Sequence, residues 1–163
     1  MTMIIRKTTE KDVMAASAIY DNARAFMRSY GNTDQWGANY PNEQNVREDI
    51  KNGCSYVCED ENGEIIAVFF FKKGNDKTYD NIYEGNWQSD GEYAVIHRIA
   101  VKYQGRGIAD VIYSHCFALH PNLRIDTHRD NTPMQRSLTK NGFKYCGLIY
   151  LESGDERLAF QKI

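Results

Sequence analysis

The chain has 163 residues, of which 42% are hydrophobic, and it carries a formal net charge of −2 with an isoelectric point of about 6.1. This length suits a single domain with one substantial core, which we assign to residues 1–163. The nearly balanced charge argues against a generic nucleic-acid surface, and no basic run is present to attract anionic lipid. Because the sequence shows neither a signal peptide nor a long apolar stretch, we expect a soluble, cytoplasmic protein with no nucleic-acid or membrane partner.

Hydrophobic periodicity and turn signals divide the chain into helices and strands. Apolar residues recur at helical spacing between Val13 and Met27, and two strand-like runs flank the hairpin signal Asp60-Glu-Asn-Gly63. The polar, Tyr-rich stretch 74–91 predicts an excursion before the fourth strand. From pattern alone, this order indicates an α/β domain with a mixed sheet. In chain order, the predicted elements are strand 3–7, helices 9–30 and 42–53, strands 54–59, 64–72 and 93–101, helix 108–119, strand 123–128, a short helix after residue 131, and two closing strands, the last at 157–161.

The four cysteines, Cys54, Cys58, Cys116 and Cys146, are predicted to be packing residues. Each stands among apolar or aromatic neighbours, where a free cysteine behaves as a small hydrophobe. The first two lack the second pair that a zinc site needs. We therefore predict no metal site from the cysteines.

A Gly-containing turn, Gln104-Gly-Arg-Gly107, separates the fourth predicted strand from the helix that follows it. Such a turn leaves backbone N–H groups unpaired, and the helix dipole adds partial positive charge, so the turn suits a phosphate. It is not a Walker loop, since no Gly-Lys-Ser/Thr follows, and it lacks the third Gly of the dinucleotide motif. Gly105 and Gly107 would let phosphates approach the backbone because neither carries a side chain.

The turn fits the pattern Gln-x-x-Gly-x-Ala at Gln104, Gly107 and Ala109, and a second motif runs from Asn131 to Phe143. Together they resemble the two signatures of the GCN5-related N-acetyltransferases, the GNAT family, which bind acetyl-CoA. The resemblance covers nearly the whole chain and is strongest over residues 93–145. It implies the GNAT fold: an α/β, mixed, mostly antiparallel sheet of about seven strands, with helices on both faces and a splay between strands four and five.

The resemblance also implies which residues hold acetyl-CoA, as co-substrate. Its pantetheine arm would pair with the exposed backbone of Ile99, Ala100 and Val101, which a core strand would also explain. The Arg106 side chain would add charge at the 3′-phosphate or remain solvated surface. The backbone N–H groups expected to take the pyrophosphate are those of Gln104, Gly105, Arg106, Gly107, Ile108 and Ala109.

Two positions in the second motif bear on the chemistry. Asn131 would hydrogen-bond the pantetheine or, equally, cap the helix that starts at the following Thr-Pro. Seven residues after this Asn, the family often carries a Tyr that protonates the leaving thiolate, and here Leu138 replaces it. This departure puts the general acid in doubt, with water, His97 or another Tyr such as Tyr145 as substitutes.

A base is expected near the acetyl group because an amine with an ordinary pKa of about 10.4 is almost wholly protonated at pH 7. Asp126 occupies the place, five before Asn131, where some ribosomal-protein acetyltransferases of the family carry a general-base Glu. A carboxylate within a covered strand is unfavourable unless it is partnered. The structural alternative is therefore an ion pair of Asp126 with Arg124, His128 or Arg98.

His97, on the fourth strand, is the rival base, since an unperturbed histidine titrates near pH 6.5. Regular strand alternation puts it on the face of Ile99 and Val101 unless a bulge intervenes. A structural histidine in the core is the alternative. Asp126 with His97 or His128 supplies too few ligands for a metal, so we predict none.

Aromatic and amide side chains in two loops predict the acceptor pocket. Gln35, Trp36 and Tyr40 follow the first helix, and Trp87 lies in the excursion with Tyr83. Such groups give flat walls with polar tips, as pockets for a small amine or peptide use. The alternative is that these side chains are buried only to anchor their loops.

The sequence thus predicts an acyltransferase that moves acetyl from acetyl-CoA to a primary amine, a small molecule or peptide, by direct transfer in a ternary complex. A non-catalytic CoA or acyl-CoA sensor that lost its acid at Leu138 is the alternative, and an interaction protein using the Tyr-rich excursion is a third. A homodimer is compatible with this reading. Neither the acceptor amine nor the choice between Asp126 and His97 follows from the sequence.

Overall fold

A computed structural model describes residues 2–163, and its order of elements confirms the predicted fold class. Short 3₁₀ helices, Glu10–Asp12 and Lys77–Tyr79, supplement the main elements, and the second gives the excursion a structured segment that was not predicted. The strands and helices are β1 Ile4–Lys7, α1 Val13–Ser29, α2 Glu43–Lys51, β2 Ser55–Glu59, β3 Ile65–Lys73, β4 Ala94–Val101, α3 Ile108–Leu119, β5 Leu123–Thr127, α4 Thr132–Lys140, β6 Lys144–Tyr150 and β7 Glu156–Lys162.

The strands form one sheet in the order β1-β2-β3-β4-β5-β7-β6. All neighbours are antiparallel except β4 and β5, which are parallel and pair only at Ala94↔Leu123 and Val95↔Arg124. Beyond Val95 the two strands part, so the edge of β4 that faces β5 has no strand partner over its remaining length. The predicted splay between strands four and five is confirmed.

A bulge in β4 sets the direction of the side chains at the opening. Phe70 pairs with His97 but Val68 pairs with Ala100, so two residues of β4 lie opposite one residue of β3. Arg98, within the bulge, has a φ of 50°, in the left-handed region. The extra residue reverses the alternation. His97 therefore shares a face with Ala100 and not with Val101, as the uninterrupted strand would have had it.

Helices cover both faces of the sheet. On one face, α1 and α2 pack through Val13, Ala16 and Val46 onto β2, β3 and β4. On the other, α3 contributes Ile108 and Ile112 to the largest apolar cluster. The excursion between β3 and β4 covers the rest of the first face, where its Tyr79 packs with Ile149 and Ala159.

Capping residues determine where these helices begin. The Asp12 carboxylate accepts from the backbone N–H and the hydroxyl of Thr9 just before α1, and Asn42 accepts hydrogen bonds from two backbone N–H groups at the start of α2. Among the described residues, no helix is long and apolar enough to cross a membrane.

Candidate active site

The gap between β4 and β5 opens into two adjoining cavities. One, of about 120 Å³, lies among α1, β4, α3 and α4, and the other, of about 240 Å³, lies under the α1–α2 loop. Met27, Ile99, Asn131 and Met134 line both cavities. The splay in the sheet therefore creates a continuous cleft, and we treat its two halves as the cofactor cavity and the acceptor cavity.

The Gly-containing turn stands at the mouth of the cofactor cavity. Gly105 and Gly107 have φ angles of 74° and 72°, which a residue with a side chain adopts at an energetic cost. A Cβ at Gly105 would meet open space, and one at Gly107 would come no closer than 3.7 Å to Asp110. The backbone of the turn is thus accessible to a ligand, and α3 begins immediately afterwards at Ile108.

Other residues predicted for acetyl-CoA distribute around this cavity. Gln104 and Ala109 line it together with the β4 residues Ile99, Ala100 and Val101. The Ile108 side chain is buried in the core, so only its backbone can face a ligand.

Arg106 behaves differently from its neighbours in the turn. Its guanidinium stacks on the ring of Tyr103, 4.1 Å from the centroid. The side chain is exposed rather than directed into the cleft. This position leaves the predicted contact with the 3′-phosphate and the solvated alternative both open.

Asn131 stands where the two cavities meet. Its Oδ1 accepts from Met134 N at 3.1 Å, which caps α4, and from the Tyr30 hydroxyl at 2.9 Å. Its Nδ2 donates to Gln35 Oε1 at 2.9 Å. The capping alternative is therefore present in the structure, and the predicted bond to pantetheine stays a prediction.

The acceptor cavity includes three of the residues predicted for it. Gln35, Trp36 and Tyr40 line it, and Trp36 packs edge-on against Tyr20 with the ring centroids 5.7 Å apart. The volume, about 240 Å³, lies below the roughly 300–1,000 Å³ typical of ligand pockets. A small acceptor fits this space better than a bulky one.

Trp87 does not line the acceptor cavity, contrary to our expectation. Its indole N–H donates to the backbone oxygen of Tyr79 at 3.0 Å, and its ring stacks on the Arg124 guanidinium at 4.1 Å. The excursion folds onto the sheet and leaves this tryptophan half-buried as a packing residue. The alternative of loop anchoring fits its position.

A polar cluster forms one wall of the acceptor cavity. His97 Nε2 lies 2.7 Å from Asp76 Oδ2, and His97 Nδ1 lies 3.9 Å from Asp126 Oδ2. The Tyr79 hydroxyl donates to Asp126 at 2.6 Å. The two predicted bases therefore lie beside one another, with Asp76 and Tyr79 as partners.

The surroundings fix the protonation of these two partners. Burial by itself would raise the pKa of Asp76, but hydrogen bonds from His97 and Thr78 outweigh it and lower the pKa to about 2. Burial and the neighbouring Asp126 carboxylate raise the pKa of Tyr79 well above its usual value. Asp76 is thus an anion that can only accept, and Tyr79 is a neutral donor.

The ion pairs expected for Asp126 are absent from the described residues. Arg124 lies between the rings of Trp87 and Tyr93, and Arg98 pairs with Asp49. His128 follows the end of β5 and lies near Asp130. Asp126 instead has a tyrosine and a histidine as neighbours, because the excursion and the β4 bulge bring both to this face.

The general acid expected in the second motif is absent. Leu138 is fully buried in the apolar core and cannot reach the cleft. Tyr145, the suggested substitute, is exposed on β6 and packs on Phe160. Tyr30, however, lines the cofactor cavity next to Asn131, and burial raises the pKa of Tyr30, so its phenol stays protonated.

Sequence reasoning missed Asp76, Tyr79 and Tyr30. The first two belong to the excursion, whose polar composition predicts a loop, and Tyr30 ends α1 far from Asn131 in sequence. None occurs at a motif spacing. Only their hydrogen bonds in the folded chain reveal them.

Asp34, His128 and Asp130 bring possible ligand atoms within 4.8 Å of one another. Both carboxylates are exposed, and exposed acidic groups commonly lie together without an ion. The four cysteines are free and buried, and burial raises the pKa of Cys58 to about 11 and that of Cys116 to about 12. These thiols therefore suit packing rather than nucleophilic chemistry.

Comparison with known proteins agrees with this geometry. Residues 17–143 match the acetyltransferase (GNAT) family. The chain belongs to the GNAT family. Comparison with curated protein sequences found no match.

Solved structures extend the similarity to almost the whole chain. A GNAT-family acetyltransferase from Streptococcus agalactiae 2603 is 34% identical, with a TM-score of 0.90 over 99% of this chain and 95% of that one. A GNAT-family acetyltransferase from Listeria monocytogenes 4b F2365 is 17% identical, with a TM-score of 0.71 over 98% and 94%. A chain of the NatC complex bound to Gag peptide and CoA is 12% identical, with a TM-score of 0.66 over 99% and 98%.

GNAT proteins generally transfer acetyl groups from acetyl-CoA to amines, and this chain shares their fold throughout. Its departure from the GNAT pattern is local. Leu138 is buried outside the cleft. Polar groups on the cleft walls come instead from the α1–α2 loop, the excursion and the sheet strands, among them Tyr30, Asp76 and Asp126.

Proposed function

We propose that this GNAT protein transfers an acetyl group from acetyl-CoA to a primary amine, a small molecule or peptide, by direct transfer in a ternary complex. The observation that carries the proposal is that the cofactor cavity and the acceptor cavity meet beside Asn131. A thioester held in the first cavity would face the Asp126–His97 cluster in the second. Direct transfer is supported further by the raised pKa values of the buried cysteines.

The cofactor cavity has the features that acetyl-CoA requires. Past Val95, the edge of β4 is free on its β5 side, so backbone groups at Ile99 and Val101 are available to the pantetheine amides. The turn from Gln104 to Ala109 offers N–H groups and the positive end of the α3 dipole to the pyrophosphate. The CoA-bound NatC structure shares only the fold with this chain, which supports the site at that level.

Asp126 and His97 are the proposed base. Because ionised Asp76 can only accept, it favours the histidine tautomer with a proton on Nε2, which leaves the Nδ1 lone pair facing Asp126. Either Asp126 or His97 Nδ1 can then take the proton that the attacking amine releases. Tyr79 holds the Asp126 carboxylate in place through its hydroxyl.

Acetyl-CoA supplies the acetyl thioester, whose carbonyl carbon forms a bond to the amine nitrogen as the bond to sulfur breaks. We propose Tyr30 as the donor that returns a proton to the sulfur in place of the missing tyrosine at Leu138. Its hydroxyl lies on the cofactor side of Asn131 and is kept neutral by burial. Trp36 and Tyr40 would limit water around the acceptor.

Leu138 is the observation that favours the alternative, a CoA or acyl-CoA sensor without turnover. The discriminating experiment is to supply acetyl-CoA with a panel of polyamines, amino acids, aminoglycosides and amino-terminal peptides while detecting free thiol. Amine-dependent thiol release together with an acetylated product, identified by mass spectrometry, supports transfer. Tight acetyl-CoA binding with no amine-dependent release would instead support the sensor.

A further inference from the structure

Arg157, at the start of β7, brings a buried positive charge to the wall of the acceptor cavity. The residue is only 5% exposed, and it lines the cavity with Gln35 and Asp126. Its Nη1 donates to Glu156 O at 2.9 Å and its Nη2 to Gln35 O at 3.2 Å. Both acceptors are neutral backbone oxygens, so neither compensates the charge.

No carboxylate among residues 2–163 lies within the 4.0 Å ion-pair distance of Arg157. The adjacent Glu156 side chain is paired with Arg129 instead. A buried cation without a counter-charge is unfavourable, since its lost hydration is not replaced. The cavity wall therefore carries a buried positive charge that no described carboxylate neutralises at ion-pair distance.

The other described arginines that are buried or line this cavity are compensated. Arg98, on the same cavity wall, pairs with Asp49, and Arg24 pairs with Asp21. Arg124 has no carboxylate partner, but its guanidinium lies over two aromatic rings, those of Trp87 and Tyr93, about 4 Å from each centroid. Arg157 stands apart because it has neither arrangement and faces a cavity.

The sheet register places Arg157 close to the proposed base. Asp126 pairs with Ala159, and Arg157 precedes Ala159 by two residues, so all three share a face. The two charged residues are diagonal neighbours, roughly 7–8 Å apart at Cα. A small molecule with an amine at Asp126 and an anion at Arg157 would bridge them.

We infer that the acceptor amine is an amino acid with a free carboxylate, which pairs with Arg157 while its amine faces Asp126 and His97. This inference rests on the proposed acetyl transfer and names its substrate class. A carboxylate matches the planar guanidinium by accepting two parallel hydrogen bonds. The small cavity, about 240 Å³, suits a free amino acid.

The test compares free amino acids with their α-carboxamides as acetyl acceptors, using kcat/KM from thiol release. Loss of a charged hydrogen-bond partner lowers binding roughly ten- to a hundredfold, so the wild type should prefer its best amino acid over the matching amide by at least about tenfold. The amide has the less basic amine, so deprotonation alone would favour it. A preference for the acid must therefore come from binding.

Variants show whether Arg157 binds the substrate carboxylate or only holds the α1–α2 loop in place. Arg157→Met should reduce the acid-to-amide ratio to one or below, and Arg157→Lys should reduce it in part. Arg24→Met is the matched control, because Arg24 is also buried and donates to the backbone of the same loop, at Pro41 O, but does not line the acceptor cavity. It should slow both acceptors equally and preserve the ratio.

The outcomes are distinguishable without relying on any variant that fails to fold. A wild-type ratio near one, with amines still acetylated, overturns this inference and leaves the proposed function intact. Acetylation of no amine at all overturns both. A ratio that survives Arg157→Met in a folded protein places the carboxylate elsewhere and also overturns the assignment.

Discussion

Asp126 and His97 meet at the cavity wall because a β-bulge and a loop excursion act on the same face of the sheet. Across the bulge His97 lies on the same face as Ala100, and the excursion brings Asp76 and Tyr79 onto the pair. The two side chains lie 3.9 Å apart on the acceptor-cavity wall, so either can face the attacking amine. Their roles are therefore best assigned by comparing matched variants.

Asp126→Asn should lower kcat by about a hundredfold or more while leaving the acetyl-CoA dissociation constant nearly unchanged. The amide keeps an oxygen that can accept from Tyr79, so the packing should survive. Steady-state kinetics, calorimetry and melting temperature provide the three measurements. A large fall in melting temperature with kcat preserved would show a structural role, and a stable, fully active variant would reject both roles.

Tyr30→Phe tests the proton donor. Removing the hydroxyl should lower kcat for acetyl transfer from acetyl-CoA by roughly ten- to a hundredfold, while acetyl-CoA binding is retained. The Asn131 cap should persist, because Met134 N still donates to its side chain. If kcat is unchanged, water protonates the thiolate and Tyr30 serves only to position Asn131.

At the scale of elements, the phosphate turn depends on backbone geometry. Gly107→Val should weaken acetyl-CoA binding at least tenfold, because a branched side chain would stand where phosphate must approach. The variant also forces a side chain into positive φ, at a cost of about 1–3 kcal/mol in stability. Calorimetric titration of the folded variant measures the binding loss.

Gly154→Val is the matched control for that strain. Gly154 has a φ of 92° with open space around it, as at the phosphate turn, but lies between β6 and β7. It should lose comparable stability while binding acetyl-CoA normally. Equal affinity for acetyl-CoA in the two variants would show that the turn does not bind the phosphates.

The α1–α2 loop is expected to select the acceptor. Trp36→Ala should raise the acceptor KM ten- to a hundredfold, since one lost aromatic contact is worth about 1–3 kcal/mol. The acetyl-CoA dissociation constant should stay within about threefold. Trp87→Ala makes the same chemical change outside the cavity and should lower stability without the rise in KM. A raised acceptor KM in Trp87→Ala, with only a loss of stability in Trp36→Ala, would place Trp87 in the acceptor site and Trp36 in the core.

Local patterns predicted most elements because their signals lie within short segments. Helical spacing after Val13, the Asp60–Gly63 turn and the Gly-containing turn each specify their own structure. The excursion was harder, since its polar residues resemble a solvated loop until Tyr79 and Trp87 pack on the sheet. The bulge, which depends on pairing between strands, likewise leaves no local pattern.

The same reason limits what the sequence shows of the site. The residues of β4 and the turn that are predicted to bind the cofactor lie in one continuous segment, 99–109. In contrast, Asp76, Tyr30 and Arg157 lie far apart in the sequence. Each is a common surface residue type in sequence. Only its burial and partners in the fold distinguish it.

The seven described strands form one continuous sheet, which opens between β4 and β5. Pairing of β4 with β5 holds the two halves at Val95, and the strands separate beyond it. Helices α1, α3 and α4 meet around that opening and form the cofactor cavity. The site is therefore a consequence of the topology, and acetyl-CoA should bind where the sheet is unpaired.

Hydrogen–deuterium exchange of the whole protein, with and without saturating acetyl-CoA, shows whether the cofactor binds at the unpaired edge of β4. The pantetheine and pyrophosphate would engage backbone amides along β4 and the turn, so exchange should slow across residues 99–109. Strand β6 lies at the far edge of the sheet and should exchange as before. Unchanged exchange in residues 99–109 at saturation, or protection confined to another surface, would mean that acetyl-CoA does not bind at the opening of the sheet.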